Sequence, residues 1–355
     1  MIPYFLAFSV ALIFSCIPRN NAQLHSISLL FLMVIIGIFA GVFIGKDFTS
    51  YEQIFYSVPN FSTLMSDRKI FNEIYGESGY IALQSLMKFF ISDYIYFNLI
   101  FVFASVSIKI FFLSKYSYLF TIAAVWYVSM FLYLDMTATR HGFAAALLLL
   151  SIPFFASKQY LTFVVVVLLA GAFHSVAYIG LLLPLAHHIV QRKALFLVTI
   201  MASVWLGFIG FGNILTTFFV NADIGNYAAE RVINYAETKY NSEAGLLRGV
   251  VLKQGVFLLF TYFILRKKIK TRLYDAAMGM YLLSFVFLVS LNDFSLLANR
   301  ISNMLGVVEC LIISSVPLAF SKKDRNYVVV VIIALSFLQL TWLARSFYID
   351  YRVFI

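Results

Sequence analysis

The sequence predicts an all-α polytopic membrane protein. Hydrophobic residues make up 62% of the 355 residues and charged residues only 12%, which is more apolar side chain than a soluble core can bury. Apolar runs close to the roughly 20 residues that cross a bilayer recur along the whole chain. A membrane span must satisfy its own backbone hydrogen bonds, so each run is predicted to be helical. We therefore expect residues 1–355 to form a single integral membrane domain.

The apolar runs divide the chain into about 12 transmembrane helices. The predicted spans are 3–17, 24–44, 93–113, 117–134, 141–156, 160–173, 175–190, 194–213, 251–265, 273–291, 300–320 and 326–344. Segment 3–17 has no basic leader and no cleavage-site pattern, so we interpret it as a retained span. Cys16 and Cys310 both lie in apolar runs, where packing is a better explanation than a disulfide or a thiolate metal site.

Charged residues sort onto two sides of this predicted topology. One set of inter-span segments holds 14 Lys or Arg residues and only 2 acids, whereas the other set holds 12 basic and 14 acidic residues. The basic set is Arg19, Lys109, Lys115, Lys158, Arg192, Lys193, the bases of 266–272 and those of 322–325. By the positive-inside rule this set faces the cytoplasm. Its short loops lack a basic patch interleaved with aromatics, so we expect no nucleic-acid partner and expect membrane lipids instead.

Two long segments are predicted on the opposite, periplasmic side. Residues 45–92 include an apolar stretch after Gly79 that is too short to span, which favours a re-entrant or interfacial helix. Residues 214–250 place Tyr227, Arg231 and Tyr235 at helical spacing, as in an amphipathic helix on the membrane surface. Long loops on a compact fold are typically functional or disordered.

Four groups of residues on the periplasmic side could carry chemistry. Asp47 could accept a proton, and Tyr51 could stack on a sugar ring, although both would also suit an ordinary interfacial loop. Arg140, next to His141 at the outer start of a helix, suits an oxyanion but also a snorkelling anchor. His174 is a candidate base or a packing histidine.

The fourth group is a set of cations near the last outer loops: Arg248, Lys253, Arg300 and Arg345. Several cations at one depth indicate an anionic ligand at the membrane interface. The five histidines are scattered and no Gly-rich phosphate loop is present, so we expect neither a metal, a cofactor nor nucleotide-driven chemistry.

Several sequence segments together resemble one protein family. They are "GKDFTSYEQIF", "ESGYIALQSLMKFF", "RHGFAAALLLLSIPFFASKQY", "LAGAFHSVAYIGLLLPL" and "ANRISNML". Their order and spacing over about residues 1–320 are similar to those of the EpsG/Wzy group of bacterial polysaccharide polymerases. The resemblance implies a GT-C-like fold and an O-antigen or exopolysaccharide repeat-unit polymerase. Such an enzyme transfers a glycan from undecaprenyl pyrophosphate to the sugar of an incoming lipid-linked repeat unit.

The candidate residues can be assigned roles in this reaction. Arg140, Arg248 and Arg300 would bind the pyrophosphate that leaves with developing negative charge. Asp47 or His174 would remove the proton of the acceptor hydroxyl, and attack in one step would invert the donor linkage. Side chains that could orient or bind the substrates are Tyr51, Tyr75, Glu77, Arg231 and Lys253. A chain-length regulator and a flippase are implied as partners.

Two other functions remain open. A flippase or secondary transporter of lipid-linked oligosaccharide would share the membrane, the cations and the ligand, but should have charge pairs near the bilayer midplane and internal repeats. A membrane O-acyltransferase would need a histidine coupled to an acyl donor from the cytoplasm, whereas His174 is predicted outside.

Overall fold

The computed structural model describes residues 2–17, 20–43, 45, 47–66, 74, 76–215 and 245–347, without the side chains of residues 346 and 347. These residues form helices joined by mostly short loops, with no β-strand among them. The first ten helices are α1 Ile2–Ser15, α2 Ala22–Gly41, α3 Phe48–Ser57, α4 Phe61–Ser66, α5 Ser78–Met87, α6 Tyr94–Tyr116, α7 Phe120–Met130, α8 Leu132–Thr137, α9 Thr139–Ala156 and α10 Tyr160–Phe173. A 3₁₀ segment, Ser175–Leu182, leads into α11 Leu183–Gln191, α12 Lys193–Phe208 and α13 Gly249–Phe260. A π-helical turn, Thr261–Leu265, precedes α14 Arg266–Lys268, α15 Arg272–Ser290, α16 Ser295–Gly306, α17 Glu309–Ile313, a 3₁₀ turn Val316–Ala319 and α18 Arg325–Phe347.

Within the described part of the chain, six helices are long and apolar enough to cross a membrane. They are 22–41, 94–116, 139–156, 249–268, 272–290 and 325–345, and the bent pair 175–191 and 193–208 would make a seventh. Shorter apolar helices occupy 2–15, 120–130 and 160–173. The described residues are therefore those of a helical, multi-pass membrane protein, whereas the predicted count of 12 transmembrane helices is not confirmed.

Each predicted span overlaps a described helix, but two of them are interrupted. Segment 117–134 breaks at Phe131 into α7 and α8. Segment 300–320 is replaced by α16, α17 and a 3₁₀ turn, so Arg300 lies in the middle of α16 and does not open a span. The short helix expected after Gly79 is α5, and its depth in the membrane stays a prediction, as does the periplasmic assignment of residues 45–92. The amphipathic helix expected in 214–250 falls almost wholly outside the described residues.

The helices group into two compact units. The first consists of residues 1–154, 158–178 and 309–355, and the second of residues 155–157 and 179–308. In the first unit α2 lies along α6, α5 packs against α10, and α7 contacts both α1 and α18. In the second unit α15 is the central helix, with α11, α12, α13 and α16 around it.

An aromatic core fills the first unit between α5, α6, α9 and α10. The Phe101 ring stacks on Phe143 at 4.6 Å and lies 5.4 Å from Tyr80. Phe173 meets Phe143 edge to face at 4.7 Å. Offset and edge-to-face ring pairs add to the stabilisation from burial alone. This core fixes α5, the start of α9 and the end of α10 relative to one another.

A buried charge pair joins two helices of the first unit. Lys109 and Asp135 are completely buried, and the Lys109 ammonium donates to both carboxylate oxygens, at 2.6 and 2.7 Å. Ser105 and Tyr127 also donate to this carboxylate, at 2.5 and 2.7 Å. The assignment of Lys109 to a cytoplasmic loop is therefore wrong, because a buried carboxylate from another helix stabilises its charge inside the protein.

Candidate active site

Arg140 lies in the first turn of α9 and is anchored by an acidic side chain from another element. Its Nη1 donates to Oε2 of Glu77 at 2.6 Å, and the two side chains are only 12% and 11% exposed. Glu77 occupies the N-cap position of α5, 63 residues earlier in the chain. A snorkelling arginine would extend its charge into water or head groups. The Arg140 guanidinium is instead held inside the first unit.

Two tyrosine rings cover the same guanidinium. Arg140 Cζ lies 5.0 Å from the centroid of the Tyr51 ring and 5.4 Å from that of Tyr80, within the range of cation–π attraction. With Glu77 on one edge and two rings against it, the plane of the fork is fixed. Its Nε is buried and makes no hydrogen bond with the described residues. We call Arg140, Glu77, Tyr51 and Tyr80 the arginine cluster.

The tyrosines of the arginine cluster are buried hydrogen-bond donors. Tyr51 is 8% exposed and Tyr80 is completely buried. Burial raises the pKa of both phenols, so both keep their protons at neutral pH. The Tyr51 ring, predicted to stack on a sugar, has its surface covered in this structure. A contact between Tyr51 and the substrate stays a prediction. The Tyr51 hydroxyl group could make such a contact through a hydrogen bond.

Tyr80 is a cluster member that was not predicted from the sequence. Glu77 and Tyr80 are three residues apart, a spacing that puts side chains on the same face of a helix. That spacing is visible in the sequence. The spacing becomes informative only once both side chains are known to contact Arg140. Nothing in the residues between Tyr80 and Arg140 indicates these contacts.

Gly79 allows α5 to pack closely against α10. A Cβ at Gly79 would lie 2.7 Å from the carbonyl oxygen of Ala172 and 2.9 Å from its Cβ, so only glycine allows this approach to α10. Gly79 lies between Glu77 and Tyr80. The distance between α5 and α10 therefore sets the position of two members of the arginine cluster.

We expect Gly79→Ala to lower both stability and activity, because the new methyl group must push α5 away from the backbone of α10. Overpacking of this kind typically costs about 1–3 kcal/mol. Thermal unfolding in detergent measures the first effect. Gly249→Ala is the matched control, since a Cβ there meets nothing within 4 Å. Equal unfolding temperatures for the two variants would contradict the prediction.

His141 and His174 form a pair beside the arginine cluster. Their ring centroids are 5.0 Å apart and the rings meet at 80°. His141 follows Arg140 in α9, whereas His174 is the C-cap residue of α10 and is half-buried. In the sequence His174 is a lone histidine among apolar residues. The structure gives it a histidine neighbour one residue from Arg140.

Asp47 approaches the arginine cluster from a different element. It is exposed at the N-cap position of α3 and makes no side-chain capping bond there. Tyr51 follows one helical turn later, and the Asp47 charge contributes to the raised pKa of that phenol. Asp47 thus borders the cluster through Tyr51, and His174 borders it through His141. Which of them acts as the base stays a prediction.

The first turn of α9 is itself positioned by the buried charge pair. A Cβ at Gly142 would lie 2.6 Å from Oδ1 of Asp135 and 3.1 Å from its Cα. The backbone two residues after Arg140 therefore packs directly against the carboxylate that Lys109 holds. Lys109 and Asp135 were not among the predicted site residues.

The other predicted cations lie in the second unit. Arg248 is the N-cap residue of α13, and its Nε and Nη2 are buried without a hydrogen bond to the described residues. Burial lowers the pKa of this guanidinium. Lys253 follows in α13, and Arg300 is half-buried in α16. Arg231 lies outside the described residues.

Hydrogen bonds join the helices that carry these cations. Gln254, next to Lys253, donates to Ser302 Oγ at 3.2 Å, and Ser284 donates to the Ser302 carbonyl at 2.9 Å. This network joins α13, α15 and α16 close to Lys253 and Arg300. Asp293 accepts the backbone N–H groups of two residues after α12, at 3.0 and 2.6 Å. No three His, Cys, Asp or Glu side chains of the described ranges come together as a metal site requires.

Comparison with known proteins assigns the chain to a family. Residues 23–353 match the model of the EpsG family. The chain belongs to the EpsG family. The resemblance seen in the sequence is thereby confirmed. The matched range contains all the candidate site residues of this EpsG family chain.

One curated relative of this EpsG family chain extends over most of its length. The amylovoran biosynthesis protein AmsC of Erwinia amylovora is 24% identical over 287 residues, which cover 80% of this chain and 76% of AmsC. No solved structure matches the chain. The GT-C-like architecture implied by the resemblance therefore stays a prediction.

Proposed function

We propose that this protein polymerises polysaccharide repeat units in the bacterial inner membrane. In each cycle a glycan would move from undecaprenyl pyrophosphate to the sugar of an incoming lipid-linked repeat unit. Membership of the EpsG family and similarity to AmsC support a polymerase of polysaccharide biosynthesis. The lipid-linked substrates are those that the family resemblance implies, whereas the inverting stereochemistry and the independence of metal ions are inferences from the residues.

The arginine cluster is the observation that carries the proposal. Release of undecaprenyl pyrophosphate builds negative charge on a phosphate oxygen, and donors fixed in advance stabilise such charge best. Glu77, Tyr51 and Tyr80 hold the Arg140 guanidinium in place, and its buried Nε–H can donate a hydrogen bond to a ligand. Because Glu77 offsets the positive charge, Arg140 would act through a directed hydrogen bond more than through net charge.

The acceptor hydroxyl would lose its proton to one of the two bases that border the cluster. Asp47 is an exposed carboxylate, so it can receive the proton directly. His174 could receive it through one imidazole nitrogen, with His141 against its ring. In either case the hydroxyl oxygen attacks the anomeric carbon as the bond to the pyrophosphate oxygen breaks. With the leaving group held on the opposite face, the donor linkage inverts.

The second set of cations would serve the other lipid-linked substrate. Two pyrophosphate groups must be present at once, one on the donor and one on the acceptor. Arg248, Lys253 and Arg300 supply positive charge in the second unit. We propose that they bind a pyrophosphate, with Arg231 of segment 216–244 as a further contact. The excess of bases in the opposite loops supports a periplasmic location for this chemistry.

A flippase for lipid-linked oligosaccharide is the alternative function. Lys109 and Asp135 favour it, because a buried charge pair inside a span is a feature expected of transporters. The pair is fully satisfied by Ser105 and Tyr127, however, as expected of a fixed structural element. A separate flippase and a chain-length regulator would be partners of the polymerase.

A product assay tests the proposed function. Purified protein in nanodiscs receives undecaprenyl-pyrophosphate-linked repeat units without nucleotide sugar or added metal, and glycan length is followed on a gel. We expect a ladder of multiples of the repeat unit and, by NMR of the product, an inverted linkage. A substrate that remains a single unit but crosses a vesicle membrane would support the flippase. A ladder that needs a divalent cation would contradict the metal-independent mechanism.

A further inference from the structure

A cleft of about 640 Å³ opens in the second unit, and its lining includes no residue of the predicted active site. It lies where α12 begins, where the π-helical turn passes into α14, and where α15 begins. Five basic residues line it together with one acid: Lys193, Arg266, Lys267, Lys270, Arg272 and Asp275. All five bases belong to loops predicted to face the cytoplasm.

The wall of this cleft carries a net positive charge. Arg266 donates to both oxygens of Asp275, at 2.8 and 3.4 Å, which uses the carboxylate that lines the cleft. Lys193, Lys267 and Lys270 have exposed side chains at its edge. Several cations around one concave surface raise the local concentration of anions. The cleft therefore has the electrostatics of an anion-binding site.

One residue that lines the cleft, Tyr262, belongs to a stacked pair of aromatic rings. The Tyr262 ring is buried and stacks on Phe196 at 3.7 Å with the planes only 6° apart. The guanidinium of Arg266 lies 5.5 Å from the centroid of the Tyr262 ring. Tyr262 is part of the π-helical turn, a conformation that is rare and frequent at functional sites. Arg266 thus contacts both Asp275 and the Tyr262 ring, whereas the lysines of the cleft are exposed.

Apolar side chains continue from the cleft onto the outer surface. Phe263 and Ile269 line it, and Ile264 next to them is 43% exposed on a helix long enough to span a membrane. A ligand with a phosphate head and an apolar tail would place the head among the lysines and the tail along this helix. Basic pockets between helices on the cytoplasmic side bind anionic head groups in this way.

We propose that the cleft binds the phosphate group of an anionic compound, supplied either by a membrane phospholipid or by a free phosphate or pyrophosphate. The residues of this site have no proposed role in glycan transfer. The binding proposal is therefore independent of the proposed polymerase activity. Occupation would join α12, α14 and α15 through one ligand.

Native mass spectrometry of the delipidated protein in detergent provides the test. The probes are phosphatidylglycerol, phosphatidylcholine as the neutral-headgroup comparison, and inorganic pyrophosphate. We expect phosphatidylglycerol or pyrophosphate to bind the wild type, and Lys267→Gln/Lys270→Gln to weaken that binding about 25-fold, about fivefold for each cation removed. Lys322→Gln/Lys323→Gln is the matched control. It removes two exposed lysines from another predicted cytoplasmic loop.

Each outcome has a definite meaning. Binding of the lipid that is lost only in the cleft variant supports a headgroup site, and the same result with pyrophosphate alone supports a soluble ligand. Equal losses in the cleft and control variants would reduce the effect to general surface charge and overturn the proposal. Absence of binding by both anionic probes, with folding verified by an unchanged unfolding temperature, would overturn it too.

Discussion

Arg140→Lys is expected to reduce polymerisation about 100- to 1,000-fold while the protein stays folded. Lysine keeps the positive charge, but it has one nitrogen in place of the planar fork. It cannot hold Glu77 with one donor and offer another at a fixed angle to a phosphate oxygen. Removing one preorganised donor from a site where charge develops typically costs about that factor in rate. The measurement is the initial rate of ladder formation with purified lipid-linked repeat units.

Three companion variants make this result interpretable. Arg192→Lys changes an exposed arginine in a predicted cytoplasmic loop and should leave the rate unchanged. Glu77→Gln keeps an oxygen that accepts from Arg140, so it should cost less than Arg140→Lys. The double variant Arg140→Lys/Glu77→Gln should be no slower than Arg140→Lys alone, because the two residues act as one unit. A wild-type rate in Arg140→Lys would remove the arginine cluster from the mechanism.

The Arg140–Glu77 contact explains why a single arginine is not sufficient for the proposed chemistry. A buried guanidinium needs a counter-charge to stabilise its positive charge when no substrate is bound. Glu77 supplies it, at the expense of net attraction for a pyrophosphate. In the proposed mechanism Arg140 therefore acts as a fixed hydrogen-bond donor more than as a net charge.

The helical fold could largely be predicted from the sequence, because apolar runs near membrane length have few other solutions. Segment 160–173 was predicted with the same bounds that α10 has. The breaks were not predictable. At Phe131 and after Gly306 the sequence stays apolar, and helix ends set by tertiary packing leave no mark in hydropathy.

The candidate site was predictable residue by residue but not as an arrangement. Arg140, Glu77, Tyr51 and His174 were each singled out by type and location, yet neither the Arg140–Glu77 pair nor the His141–His174 contact was expected. Both contacts bring together residues that are distant in the chain. Lys109 was misassigned for the same reason, since a charge in a span is explained only when its distant partner is known.

Lys109→Met should destabilise the protein by about 3–5 kcal/mol, because it leaves the Asp135 carboxylate buried without its counter-ion. Methionine has nearly the shape of lysine, so the loss of the charge dominates. Asp135→Asn should cost a similar amount by leaving the ammonium alone. The free energy of unfolding, measured with SDS in mixed micelles, gives both values. Lys115→Met, an exposed change in the same helix, should stay within about 0.5 kcal/mol of wild type.

The double variant decides what the pair contributes. Lys109→Met/Asp135→Asn has no buried charge, and its amide oxygen can accept from one of the two hydroxyl groups, of Ser105 or Tyr127, while its amide N–H donates to the other. It should therefore recover most of the stability lost in either single variant. If the pair also positions the first turn of α9 through Gly142, polymerisation should recover together with stability. Recovered stability with activity still lost would instead indicate that the charges themselves serve transport or proton movement, as the flippase alternative requires. A double variant less stable than both single variants would show that the pair is not the main electrostatic element of the first unit.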